Sequence, residues 1–125
     1  AMAICDDDAV TLHADAVTPT QPPYTGQACA ALRAEVTDAE RVRPVAFALR
    51  LLAAVLRTHR AHFAWTTYPT AANPSGENHF ARLVGVRTIA PILDDDAVPM
   101  TRELAASLTD PGSWSSMVRE ALLYR

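Results

Sequence analysis

Residues 44–59, PVAFALRLLAAVLRTH, decide the fold class. Val45, Leu49, Leu52 and Leu56 recur at helical spacing with Ala48, Leu51 and Val55 beside them, so the segment predicts one helix with a single apolar stripe. Pro44 fits the first turn, where its missing N–H costs no intrahelical bond. Arg50 interrupts the most apolar part, Val45 to Leu56, which is also too short to span a bilayer. Each leucine contributes about 1.5–3 kcal/mol on burial before entropic costs. The segment is therefore expected to form the main helical layer, with Phe63 and Trp65 closing the core just after it.

Upstream, the spacing changes from helical to alternating. Val10, Leu12, Ala14 and Ala16 alternate with Thr11, His13, Asp15 and Val17, which predicts a strand over 9–17. Ala28, Ala30, Leu32, Ala34 and Val36 alternate with Cys29, Ala31, Arg33 and Glu35, which predicts a second over 28–36. Between them, Pro19, Pro22, Pro23 and Gly26 fix φ angles and remove donors, so residues 18–26 form an ordered, extended loop. After the second strand, Asp38 or a nearby residue is expected to accept hydrogen bonds from free N–H groups at the start of the helix.

Downstream, residues 66–78 contain Pro69, Pro74, Gly76 and small polar side chains, the composition of a mobile surface loop. Residues 80–85 predict a short helical turn capped by Gly85 in the left-handed region. Residues 86–93 fit either regular structure. Met100, Leu104 and Leu108 predict a further helix, and Asp110-Pro111 opens a last one that carries Trp114, Met117, Val118, Ala121 and Leu122 to Tyr124. The expected fold is α+β: a small β-sheet with the long helix packed on one face and shorter C-terminal helices, all within a single domain of residues 1–125.

Composition narrows the function classes. The 125 residues are 50% hydrophobic and 20% charged, with a net charge of −3, the balance of a globular domain rather than a disordered chain. Every cationic side chain except histidine is arginine, and the arginines are scattered, so the basic field that drives nucleic-acid binding is missing. No nucleic acid and no membrane span are expected. Ala1-Met2-Ala3 reads as a remnant before an internal start, without the charged, apolar and small-residue order of an export signal. Cys5 and Cys29 permit one disulfide, although unpaired buried thiols are the commoner case.

The chemistry-bearing residues form no catalytic set. His59 and His62 stand three apart near a helix end, where imidazoles commonly meet the helix dipole rather than a metal. Asp6-Asp7-Asp8 and Asp94-Asp95-Asp96 lack the alternating acids and turn glycine of a calcium loop, so they read as solvated caps or turns. Glycoside hydrolysis needs a carboxylate pair flanking the scissile bond. Glu35, Asp38, Glu77 and Glu103 supply acids but no recognisable pair. No catalytic residue, metal or cofactor is assigned.

Taken in order, Pro19-Thr20, Tyr24-x-Gly26, Cys29, Val36-Thr37-Asp38, Arg43-Pro44, Phe63-x-Trp65, Phe80-x-x-Leu83-x-Gly85 and Leu122-Leu123-Tyr124 resemble the C-terminal domain of NamZ-type exo-β-N-acetylmuramidases. The resemblance covers roughly residues 10 to 125. It implies a parent enzyme of the cell envelope that removes N-acetylmuramic acid from the non-reducing ends of peptidoglycan fragments. It also implies that the catalytic acids belong to a separate, Rossmann-like N-terminal domain, the expected partner of this chain together with muramic-acid-containing sugars.

Active-site clefts commonly form where domains meet, so the Pro19–Gly26 loop is expected to face the sugar. Tyr24 offers a stacking face and Thr20 a hydroxyl from a proline-stiffened backbone; the commoner arrangement has such a tyrosine packed beneath its loop. Arg33 and Arg43 carry planar forks suited to the lactyl carboxylate of muramic acid, although most arginines simply face solvent. The expected function is an accessory domain that shapes the sugar cleft of a muramidase-like glycoside hydrolase, not catalytic by itself. The other reading is a free-standing binding or self-association module that uses the 66–78 loop or an exposed apolar face.

Overall fold

The computed structural model of the chain describes residues 9–119. The expectations for Cys5, Asp6-Asp7-Asp8 and residues 121–124 lie outside the described residues. Two compact units divide the chain, residues 1–43 and 44–125. A two-stranded antiparallel sheet and a set of helices give the α+β composition expected from the sequence.

In the first unit, strand β1 (Val10–Val17) pairs with β2 (Cys29–Val36), with Val10 opposite Val36 and Val17 opposite Cys29. This register puts Val10, Leu12, Ala14 and Ala16 opposite Val36, Ala34, Leu32 and Ala30, so the apolar sets of both strands share a face. The other face carries a ladder of charge. Arg33 Nε donates to Asp15 Oδ2 at 3.3 Å, while Glu35 Oε2 lies 2.8 Å from His13 Nε2 and 3.7 Å from Arg33 Nη1. The strands are more exposed than half-buried strands would be: Leu32 keeps 47% and Val36 54% of its surface. Asp38 does not cap the long helix. Its Oδ1 accepts from the N–H groups of Glu40 at 3.1 Å and Arg41 at 3.2 Å, closing a turn before the helix begins at Pro44.

The second unit is helical. Helix α1 (Pro44–His59) buries Ala46, Phe47, Leu49, Ala53, Ala54 and Leu56. Val45, expected on the apolar stripe, is 47% exposed because the buried face is centred on Leu49, Ala53 and Leu56. Those three pack with Ala81 of α2 (His79–Val84) and with Ile89 and Leu93 of α3 (Ile89–Asp94). The segment that fitted either structure is thus helical, and Ile89 is completely buried. Phe63, Phe80, Val84, Met100 and Leu108 border this core. Gly85 caps α2 in the left-handed region, as expected, at φ 79°.

Helix α4 (Arg102–Leu108) starts at Thr101, whose hydroxyl oxygen accepts from Leu104 N–H at 3.1 Å. Glu103 sits in that first turn. Its own backbone N–H, then the Thr101 hydroxyl, hold its carboxyl below the ordinary value of 4.5. A depressed carboxylate contributes stability that is fully present above the unfolded value and lost as pH falls through the lower folded value. Glu103→Gln should therefore flatten the stability loss below about pH 4.5, read from urea midpoints against pH; an unchanged acid limb would refute the assignment. Helix α5 (Trp114–Met117) is shorter than expected, with Val118 closing it through an N–H bond to Trp114 O.

Residues 66–78 form the surface loop expected from their composition, but one with its own internal bonds. Tyr68 N–H donates to Gly76 O at 3.0 Å, and Thr70 and Asn73 exchange backbone bonds of 3.0 and 3.1 Å. Asn73 is 6% exposed and its Nδ2 donates to Glu77 O at 3.0 Å. A buried amide that ties its own loop satisfies backbone groups that composition alone would leave to water.

Candidate functional site

The loop between β1 and β2 closes on itself through Gly26 N–H to Pro19 O at 2.8 Å and Gln27 N–H to Tyr24 O at 3.1 Å, with Gly26 at φ 74°. Thr20 and Tyr24 are both exposed on this loop. Tyr24 keeps 57% of its surface, so it presents its ring rather than packing beneath the loop. Arg43 is exposed immediately before α1. Arg33 stands on β2 opposite His13, within reach of the Asp15 and Glu35 carboxylates. An incoming carboxylate would compete with both for its fork.

A second surface, which composition did not reveal, lies in the helical unit. Asp94, expected to be a solvated turn residue, anchors it. Its Oδ1 accepts from Arg60 Nη1 at 2.9 Å, its backbone O from Arg60 Nη2 at 2.7 Å, and its Oδ2 from Trp65 Nε1 at 3.0 Å. The fixed indole meets Phe63 edge-on at 4.9 Å and stacks on Phe80 at 5.3 Å. Such pairs hold aromatic side chains in one arrangement at about 0.5–1.5 kcal/mol each.

Against this aromatic wall, Thr66, Tyr68, His79, Phe80 and Leu83 line an open hollow of about 440 Å³. The Tyr68 and His79 rings lie 4.9 Å apart at a 43° tilt, and the buried Nδ1 of His79 has no hydrogen-bond partner. Tyr68 is 63% and Leu83 72% exposed. An apolar floor with hydroxyls at its edge suits the mixed faces of a sugar ring. Among the described residues that line the hollow, none is a carboxylate. Tyr68 followed by Pro69, ahead of Gly76, was the sequence signal for it: an aromatic on a loop whose glycine allows close backbone approach.

Among the described residues, no group of three histidine, cysteine or acidic side chains is placed to hold a metal ion, and no helix is long and apolar enough to cross a membrane. The Cys29 thiol donates to Gln27 O at 3.6 Å. No curated protein and no solved structure matches the chain. Residues 5–124 do match one family, described as Exo-beta-N-acetylmuramidase NamZ, C-terminal. With nearly its whole length covered, the chain belongs to the family of C-terminal domains of NamZ-type exo-β-N-acetylmuramidases.

Proposed function

We propose that the chain acts as a single accessory domain of an exo-acting muramidase, completing the sugar cleft of a Rossmann-like catalytic domain in the same parent chain. The family match over residues 5–124 carries this reading. In it, Tyr24 stacks on the sugar, Thr20 hydrogen-bonds it, and Arg33 and Arg43 meet the lactyl carboxylate of muramic acid. The exposed Tyr24 ring on a self-bonded loop supports the first role, because little ordering entropy is lost on binding.

The chain alone should leave a chromogenic N-acetylmuramide intact, and adding the catalytic domain should produce hydrolysis. Hydrolysis by the chain alone would overturn the reading. In the reconstituted enzyme, Tyr24→Ala should raise KM about three- to tenfold with kcat nearly unchanged, the loss of one stacking contact. An unchanged KM would remove Tyr24 from the sugar site.

The exposed Tyr68 and Leu83 favour a second reading, a free-standing module that associates with itself. Sedimentation as a monomer across micromolar concentrations would dismiss it.

A further inference from the structure

Helix α2 has two differently built sides. His79, Phe80 and Leu83 face the apolar hollow, whereas Asn78, Ala81, Arg82, Gly85 and Arg87 line a separate hollow of about 480 Å³. Arg82 and Arg87 are both exposed, and among the described residues no carboxylate lines this hollow with them. Among the described residues, ion pairs hold Arg33 to Asp15 and Arg60 to Asp94, and none is formed by Arg82 or Arg87. Two guanidinium groups on one concavity repel unless an anion lies between them, and in a chain of net charge −3 the hollow is a local reversal of sign.

The rest of the lining agrees. Asn78, at φ 52°, makes no side-chain capping bond to α2, which leaves its amide free to donate. Gly85, at φ 79°, has nothing within 4 Å of where a Cβ would stand, so the absent side chain leaves the hollow open. Two planar forks and an amide on one lining supply the donor types that a carboxylate takes.

We propose that this hollow binds a carboxylate of a muramic-acid-bearing peptidoglycan fragment. The carboxylate comes either from the lactyl group or from the attached peptide. This rests on the accessory-domain reading for its ligand class, and it adds a carboxylate contact at Arg82 and Arg87 to the one proposed at Arg33 and Arg43.

The test is an NMR titration of the whole chain, following the backbone amides of Arg82, Gly85 and Arg87. N-Acetylmuramic acid presents the lactyl carboxylate, muramyl dipeptide presents only a peptide carboxylate, N-acetylglucosamine presents neither, and inorganic phosphate is a plain anion. Saturable shifts with either muramic compound, absent with N-acetylglucosamine and weakened by salt, support the proposal and identify the source. Arg82→Gln with Arg87→Gln should then weaken binding roughly tenfold or more, while the double lysine variant recovers part of it. Both positions are exposed, and an unchanged melting temperature confirms an intact fold. Shifts with phosphate alone, equal shifts with N-acetylglucosamine, or wild-type affinity in the double glutamine variant would each overturn the proposal. Shifts confined to the Pro19–Gly26 loop would also overturn it, yet leave the accessory-domain reading standing.

Discussion

Leu56→Ala should lower the unfolding free energy of the helical unit by about 3–5 kcal/mol. Leu56 is 1% exposed and packs with Leu49, Ala53, Ala81, Ile89 and Leu93, drawn from α1, α2 and α3. Removing its branched end forfeits the transfer free energy of the lost methyl groups. It also leaves a cavity that three helices cannot collapse together, because each is held by its own backbone bonds. Leu52→Ala, at a half-buried position beside the same core, should cost clearly less, about 1–2 kcal/mol. Urea unfolding followed by far-ultraviolet circular dichroism compares the two. Equal losses would mean that Leu56 does not occupy the centre of the core.

The second large effect is expected at Gly76. Its φ of 70° disfavours any L side chain, and a Cβ there would stand 2.5 Å from Pro69 N and 2.6 Å from Tyr68 C. Those contacts are with backbone, which cannot rotate away as a side-chain end does. The left-handed conformation alone costs an alanine about 1–2 kcal/mol, and relief of the clash must break the Tyr68 N–H bond to Gly76 O. Gly76→Ala should therefore destabilise the loop by about 3 kcal/mol or more, with faster amide hydrogen exchange at Tyr68 and Asn73 than elsewhere. Gly112→Ala is the control: it shares the left-handed region at φ 56°, but nothing lies within 4 Å of its Cβ position. Similar losses at both glycines would show that conformation, not crowding, sets the requirement at Gly76.

Much of this architecture was legible in the order of the residues. The period of two in Val10-Thr11-Leu12-His13 and in Leu32-Arg33-Ala34-Glu35 set the strands and even the shared apolar face, because side-chain direction in a strand follows position alone. The period of α1 was equally plain, but Val45 at its first turn shows that a stripe locates a helix without fixing which edge of the stripe is buried. The internal bonds of residues 66–78 were not legible, because they centre on Asn73, whose amide bonds depend on loop geometry rather than on composition. Asp94 was misjudged for a related reason: its partners, Arg60 and Trp65, lie about thirty residues away in sequence and meet it only on folding. The hollow lined by Arg82 and Arg87 is invisible for the same reason, since a concavity belongs to no single stretch of chain.

The Asp94 bridge has one more consequence. Trp65 is partly covered and held by a carboxylate, whereas Trp114, the other indole in the chain, is 59% exposed. Their emission spectra should therefore respond unequally to unfolding, with Trp114 already near its water-exposed colour and Trp65 moving to the red as the bridge opens. The protein thus carries its own optical gauge of the helical unit, one that reads the wall of the Tyr68 hollow without any added label.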